Sequence, residues 1–305
     1  MAVTAAILFW LVGLAAAPLL PGIIQKTKAV FAGRRGAPIV QPDYDLATLV
    51  PPGTGYRRTG IPLLRLAPLA GVAALVCALA VVPLADSGAI VTFEGDVVFF
   101  AYALGILRMA TVLAALETGS SFEGMGSSRE VWISALAEPV LFLLFGAMAR
   151  LTESWSMQSM LSIFTHRAWN GHVGVLILVA AALAIVILAE NARIPVDDPN
   201  THLELTMIHE AMILDHGGPD LGFILYGASL KLWVTLSVLV GVTLPTHGWN
   251  PFLAGIAGLA AMLALAAGVG VVESSLARLR MVRVPQLLVA AGVFGAVALF
   301  LALKG

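Results

Sequence analysis

Charged residues are scarce in this sequence of 305 residues. Only 11% of the residues are Asp, Glu, Lys or Arg, whereas soluble domains carry roughly a quarter, and 59% are hydrophobic. So few charges exclude a soluble globular protein. The formal net charge of −1 gives no basis for binding nucleic acid. Together with a mean hydropathy of +0.95, the composition indicates an integral membrane protein that lies in a lipid bilayer.

Cysteine is nearly absent as well, because Cys77 is the only one in the sequence. One thiol cannot form an intrachain disulfide, hold an iron–sulfur cluster or supply the cysteine ligands of a nickel centre. We therefore expect no redox cofactor in this chain. Any redox chemistry in which it takes part would belong to other subunits.

Long apolar runs dominate what is present. A helix needs about 20 apolar residues to cross the hydrocarbon core, and the runs lack the alternation of barrel strands. They predict an all-α membrane protein, a single membrane domain over residues 1–305 with about eight transmembrane helices. The predicted spans are residues 3–24, 66–84, 98–116, 131–150, 172–189, 222–244, 251–272 and 287–303.

The distribution of basic residues predicts the orientation. With eight spans, the loops on one side hold twelve Lys and Arg residues, and the other side holds three. Since basic loops stay cytoplasmic, both termini are predicted to lie outside, in a multi-pass protein of the cell's inner (plasma) membrane. The first run is predicted to be a retained helix, because basic residues follow it and none precedes it. The predicted cytoplasmic loops are residues 25–65, 117–130, 190–221 and 273–286.

The glycine- and serine-rich residues 119–130 have no P-loop spacing and no following lysine, so phosphate binding is disfavoured. They predict a flexible loop beneath a partner protein.

The most polar part of the sequence is residues 190–220, which lies between two strongly apolar runs. Such side chains are expensive near lipid and usually mark an ion pathway or a docking surface. Thr201 and Glu204 match a capping box, and Gly217 begins a stop signal. They predict a short cytoplasmic helix of about 15 residues between spans 5 and 6, with Met207, Ala211 and Leu214 on its apolar face.

Three histidines in this segment, His202, His209 and His216, recur every seven residues. A metal site on one helix needs ligands three or four residues apart, and Ile213 stands where a second histidine should follow His209. The spacing therefore disfavours zinc, and we expect no metal site. Histidines that form hydrogen bonds or relay protons are the better interpretation.

Five ionisable residues are predicted to share one layer of the membrane. Arg108, Glu138 and Lys231 lie inside the third, fourth and sixth spans, and Glu117 and Glu190 mark the inner ends of the third and fifth. A buried charge requires a partner. One interpretation is a set of stabilising ion pairs, Arg108 with Glu138 and Lys231 with an acid. The other is a hydrated chain of charges that passes protons sideways.

Three segments resemble a known family: GRRGAPIVQPDYDL at residues 33–46, SSFEGMGSSRE at 120–130 and ENARIPVDDPNTHLELTMIHEAMILDHGGPDL at 190–221. The first and third are similar to the membrane subunit that anchors the peripheral arm in complex I and membrane-bound hydrogenases. The residues that match the ETNRAPFDLPEAESEL-type loop of complex I are Glu190, Arg193, Pro195, Asp197, Pro199 and Glu204. Residues 120–130 and 201–215 resemble the hydrogenase branch, which includes formate hydrogenlyase and hydrogenase-4.

The resemblance implies a subunit without its own cofactor. Its expected partners are [NiFe]-hydrogenase-like large and small subunits and an iron–sulfur subunit, which hold the NiFe centre and the iron–sulfur clusters, and antiporter-like membrane subunits. It also implies a link between electron transfer and proton or sodium translocation. The expected ion-coupling residues are Glu117, Glu138, Glu190, Glu204, Glu210, Arg108 and Lys231. The expected docking residues are Arg34, Arg35, Gln41, Asp45, Arg193, Asp197, Asp198, His202 and His209.

Two alternatives stay open. One is the quinone-chamber subunit of a complex I-type NADH:quinone oxidoreductase, although the sequence departs from that pattern after Glu204. The other is a free-standing ion transporter, a class that often shows paired halves, whereas this sequence has no convincing internal repeat.

Overall fold

Apolar runs punctuated by proline and glycine fold into helices throughout the computed structural model, which describes residues 2–49, 62–197 and 207–304. Two short 3₁₀ turns, Ala85–Ser87 and Met281–Arg283, accompany the α-helices. The α-helices are α1 (Ala2–Ala16), α2 (Leu19–Phe31), α3 (Gln41–Leu49), α4 (Pro62–Val81), α5 (Asp96–Glu117), α6 (Ser121–Thr152), α7 (Met157–Gly171), α8 (Val173–Glu190), α9 (His209–Met212), α10 (Gly218–Thr243), α11 (Pro251–Ser275) and α12 (Val284–Lys304).

Seven of these helices are long and apolar enough to cross a membrane: α4, α5, α6, α8, α10, α11 and α12. The first predicted span is instead the pair α1–α2, which is bent by 54° and together passes the same test. Pro18 lies at the break, where its ring prevents a continuous helical hydrogen-bond ladder. The prediction of an all-α integral membrane protein with about eight spans is confirmed.

The central helix is α10, in which every residue from Ser229 to Val242 is buried. It packs against α4, α7, α8 and α11. Around it, α5 lies against α4, α12 lies against α6 and α8, and α2 lies against α11. This arrangement places Lys231, near the middle of α10, inside the protein and next to the end of α8.

The prediction of a flexible loop at residues 117–130 is wrong for most of that segment. Only Thr118, Gly119 and Ser120 lie between α5 and α6, and Gly119 makes the turn with a φ of +68°. Gly124 and Gly126 lie in the first turns of α6. Gly126 lies within the helix because a neighbouring segment packs directly against its Cα and leaves no room for a side chain. The sequence pattern does not indicate this contact.

A helix that the hydropathy of the sequence does not reveal, α7, connects α6 to α8. Its 15 residues extend about 22 Å, too short to cross the hydrocarbon core. It buries one side against α6, α8 and α10. The buried carboxylate of Asp96, at the start of α5, accepts hydrogen bonds from the amide of Met157 and the hydroxyl of Ser156, which anchors the start of α7.

The helix predicted for residues 201–216 is much shorter in the described part of the segment. Thr201 and Glu204 lie outside the described residues, and from Met207 onward only His209–Met212 is α-helical. The Asp197 carboxylate accepts the amides of Ile208 at 3.2 Å and His209 at 3.4 Å, so this helix begins there. Met207 and Ala211 are buried as predicted, but Leu214 is 58% exposed.

Candidate functional site

Side chains from four spans meet in one cluster inside the protein. We call Arg108, Glu130, Glu138, Glu190 and Lys231 the charge cluster. Arg108 of α5 donates from Nη2 to both carboxylate oxygens of Glu190, at 2.7 and 2.8 Å. Its Nη1 donates to the carboxylate of Glu138 on α6. One buried guanidinium therefore joins the end of α8 to the middle of α6.

Lys231 of α10 holds the other side of Glu190. Its Nζ lies 3.0 Å from Oε2 of Glu190 and also donates to the backbone carbonyl of the same residue. Glu190, the last residue of α8, is thus fixed between two cations that come from two other helices. The predicted pairs, Arg108 with Glu138 and Lys231 with an acid, are confirmed.

Glu130 completes the charge cluster, and the sequence analysis missed it. Its Oε1 lies 3.8 Å from Nε of Arg108, and its side chain is mostly buried. The sequence predicts a loop over residues 121–130, whereas these residues are helical. Glu130 reaches Arg108 because it lies on α6. With Glu138 and Glu190, it gives the cluster three acids against two bases.

A cavity of about 70 Å³ that opens to solvent borders the charge cluster. Arg108, Glu130, Glu190 and Lys231 form its charged wall together with the imidazoles of two histidines. The opposite wall is apolar and comes from α4, α5 and α10: Ala67, Pro68, Val72, Leu107, Phe223 and Ile224. Charges, an apolar wall and access to solvent therefore meet in one place.

The two cavity histidines are His209 and His216. Nε2 of His209 is buried and has no hydrogen-bond partner among the described residues. Burial, together with the nearby cations Lys231 and Arg193, lowers the pKa of His209 to about 4. Burial also lowers the pKa of His216, against the opposing effect of Asp220 and Asp215. His209 is therefore neutral near pH 7.

Two other predicted ion-coupling acids, Glu117 and Glu210, are not part of the charge cluster. Glu117 is half-buried at the end of α5, and its Oε2 is buried with no hydrogen-bond partner among residues 2–49, 62–197 and 207–304. Glu210 lies in α9. Neither is among the residues that line the cavity. Glu204 lies outside the described residues.

The predicted docking residues divide into two groups. Arg34 and Arg35 are exposed after α2, and Gln41 donates to Asp45 at 2.8 Å within α3. Arg193 instead lies 3.5 Å from Glu273 of α11.

Asp197 is buried and lies 2.7 Å from Arg278, so its side chain faces the interior of the described structure, and its role in docking stays a prediction. It holds α9 and the segment before α12 together. His209 faces the cavity, and Asp198 and His202 lie outside the described residues.

The start of α6 holds residues 207–216 in place. The Glu123 carboxylate, fully buried, accepts the amide of Asp215 at 3.0 Å and the hydroxyl of Thr118. Arg129 donates to the carbonyl of Met207 at 2.9 Å. A Cβ added to Gly126 would lie 2.9 Å from the carbonyl oxygen of Ile208. Three positions in the first turns of α6 thus set where His209 sits.

Within the described ranges, no group of three or more His, Cys, Asp or Glu side chains is arranged to hold a metal ion. The site is built from ion pairs and hydrogen bonds.

The fold and the charge cluster define a class: a multi-pass α-helical membrane protein with ionisable side chains paired between its spans. Within that class the chain belongs to the NADH dehydrogenase family, whose model matches residues 3–303. This confirms the resemblance seen in the sequence.

Two relatives from Escherichia coli (strain K12) are similar to this chain. Formate hydrogenlyase subunit 4 is 29% identical over 289 residues, which cover 91% of this chain and 91% of the relative. Hydrogenase-4 component C is 29% identical over 235 residues, which cover 75% of this chain and 71% of the relative.

The fold also matches a solved structure, that of the membrane-bound sulfane sulfur reductase (MBS), an archaeal respiratory membrane complex. One chain of that complex superimposes with a TM-score of 0.81 at 21% identity, over 99% of each chain. This likeness shows a shared fold.

Proposed function

We propose that this chain is the membrane-anchoring and ion-coupling subunit of a complex I-related, energy-converting hydrogenase of the formate hydrogenlyase type. Its similarity to formate hydrogenlyase subunit 4 and hydrogenase-4 component C supports the hydrogenase assignment. The observation that carries the ion-coupling role is the bridge by which Arg108 joins Glu190 and Glu138 within the membrane-spanning helices.

The position of Glu190 supports the coupling. It ends α8, and residues 207–216, further along the chain, are held by the start of α6. A displacement of this segment would move the carboxylate that balances Arg108 and Lys231. Because the charge cluster has three acids and two bases, it carries one excess negative charge when every acid is ionised. Such a cluster can take up and release one proton as its geometry changes.

The exposure of Glu138 supports the presence of a second membrane subunit beside this one. Its side chain is 48% exposed although it lies within the apolar part of α6. A charged side chain facing lipid at the centre of a span costs roughly 3 kcal/mol or more. An antiporter-like membrane subunit that covers Glu138 would remove this cost and receive the proton or sodium ion.

The peripheral partners would bind on the surface that holds residues 33–46 and 207–217. Exposed Arg34 and Arg35 lie in the first of these segments. In this proposal the [NiFe]-hydrogenase-like large and small subunits and the iron–sulfur subunit carry the NiFe centre and the clusters. This chain would hold no redox cofactor of its own, and its docking surface would lie on the cytoplasmic side of the inner membrane.

Replacement of the exposed acid tests the proposal. In the assembled complex, Glu138→Gln keeps the shape of the side chain and removes its charge, so ion translocation per electron should fall about tenfold or more. Glu153→Gln, at the exposed end of the same helix, is the matched control and should leave translocation unchanged. Coupled translocation at the wild-type level in Glu138→Gln would refute the coupling role.

The cavity favours a second candidate, the quinone-chamber subunit of a complex I-type enzyme. The lining of this cavity, apolar on one side and charged on the other, is suited to an amphipathic molecule with an apolar tail and a polar headgroup. Quinone that co-purifies with the complex, or inhibition by quinone-site blockers, would favour this candidate over the hydrogenase.

A further inference from the structure

Two exposed histidines lie together at the end of α10 that is opposite residues 207–217. His166 is on α7, and His247 is in the turn between α10 and α11. Their ring centroids are 4.7 Å apart and the ring planes are tilted by 35°. This pair is far from the charge cluster in the fold, because α10 places Lys231 and its final residue, Thr243, about 18 Å apart.

The distance between the two rings suits a shared metal ion. Two imidazoles that bind one ion through Nε2, with metal–nitrogen bonds of about 2.1 Å, have centres roughly 4.5–5 Å apart. The rings of His166 and His247 fall in this range.

A neighbouring side chain engages the other nitrogen of the His247 ring, whose Nδ1 lies 3.0 Å from Oγ of Ser162. A metal-binding histidine usually donates its second N–H to such a partner, which fixes the tautomer and the ring orientation. This contact leaves Nε2 of His247 available to a metal ion.

The two elements that carry the histidines are held together independently of them. Thr165 donates to the carbonyl of Gly241 at 2.6 Å, and Trp169 donates to that of Thr243 at 3.3 Å. In the turn itself, the buried hydroxyl of Thr246 donates to Asp86 at 3.0 Å. A site on elements fixed in this way loses little entropy when it binds an ion.

We propose that His166 and His247 form a two-histidine binding site for a late first-row divalent cation, Cu²⁺, Ni²⁺ or Zn²⁺, on this face of the protein. Water fills the remaining coordination positions. Bound metal ties α7 to the α10–α11 turn. Imidazole ligands favour Cu²⁺ over Ni²⁺ and Zn²⁺, and these over Mn²⁺, whereas Mg²⁺ and Ca²⁺ prefer oxygen ligands.

Copper titration of the purified complex tests the site. The wild-type complex, His166→Gln and His247→Gln are titrated with Cu²⁺, and nitrogen-coordinated copper is counted by electron paramagnetic resonance. Each variant should lose one equivalent of copper relative to wild type. His172→Gln, at the junction of α7 and α8, is the matched control and should lose none. Wild-type copper binding in either of the two variants, or an equal loss in the control, would overturn the proposal.

Chemical protection gives a second test that needs no variant. Zn²⁺ added to the wild-type complex should slow the modification of His166 and His247 by diethyl pyrocarbonate, measured by mass spectrometry, whereas Mg²⁺ should not. Equal modification with and without Zn²⁺ would also overturn the site.

Discussion

At the scale of single residues, Glu190 is the acid on which the charge cluster depends. Its carboxylate pairs with both Arg108 and Lys231, whereas Glu138 pairs with Arg108. Removing one partner of a buried ion pair leaves an uncompensated charge, which costs more than the pair itself contributes. The two acids should therefore respond differently to the same substitution.

We expect Glu190→Gln to destabilise the protein by roughly 3–5 kcal/mol, because it leaves two buried cations facing a neutral amide. Glu138→Gln should cost less, since that side chain is half exposed and Arg108 keeps Glu190. Thermal unfolding of the purified complex compares the two. Equal unfolding temperatures would contradict the central position of Glu190.

His209 should make the segment around α9 sensitive to acid. Its pKa is lowered to about 4 in the folded protein, so the unfolded segment binds a proton more readily between about pH 6.5 and 4. The stability that neutral His209 contributes is therefore present above about pH 6.5 and is lost as the pH falls toward 4. The groups around it are the cations Lys231 and Arg193 and the cavity acids Glu130 and Glu190.

Hydrogen exchange of residues 207–216 at pH 7.5 and pH 5 measures this effect. Exchange should speed up at the lower pH, after correction for its intrinsic pH dependence, in wild type and less so in His209→Gln. The same acceleration in both proteins would assign the effect to another group.

Single residues also show which parts of the charge cluster can be predicted from the sequence. Arg108, Glu138 and Lys231 stand out because each interrupts an apolar run, and their need for partners follows from that alone. The sequence does not indicate which acid pairs with which base, since Arg108 and Glu190 are 82 positions apart. The role of Glu130 does not follow from the sequence either, because it depends on the helical course of residues 121–130, which the glycine- and serine-rich pattern does not indicate.

At the scale of elements, the contact between α6 and residues 207–216 positions His209. Gly126→Ala would place a methyl group 2.9 Å from the Ile208 carbonyl oxygen and 3.0 Å from Cβ of Ala211. We expect this change to push the segment away from α6, to raise its susceptibility to proteolysis and to weaken binding of the peripheral partners.

Gly124→Ala is the matched control, because a Cβ there meets nothing within 4 Å. It should be neutral or should stabilise α6 by up to about 1 kcal/mol through helix propensity. Equal proteolysis of the two variants would show that the close approach at Gly126 does not hold the segment.

Element prediction failed where tertiary contacts define a helix. Met157, Met160, Leu161, Phe164 and Ala168 are the buried residues of α7 that repeat at helical spacing. This helical spacing is visible in the sequence, but long apolar runs do not indicate an amphipathic helix of 15 residues. The start of α9 depends on Asp197, which precedes it by 12 residues and is held by Arg278. No local pattern encodes such a cap.

At the scale of the whole molecule, two faces carry different features. One face holds residues 33–46 and 207–217, and the opposite face holds α7 and the α10–α11 turn. The seven unbroken spans place residues 32–40 and Lys304 on opposite sides of the membrane. Only the α1–α2 pair decides where the N-terminus lies.

If the bent pair crosses the membrane, the N-terminus lies on the same side as Lys304, and the twelve-to-three bias of basic residues predicts that both lie outside the cytoplasm. Single cysteines introduced at Val3, Arg34 and Lys304 into a Cys77→Ala background test this. In intact cells a membrane-impermeant maleimide should label positions 3 and 304, and position 34 only after permeabilisation. Labelling of position 3 only after permeabilisation would mean that α1 and α2 form a re-entrant loop. The first apolar run would then fail to cross because of the 54° bend at Pro18.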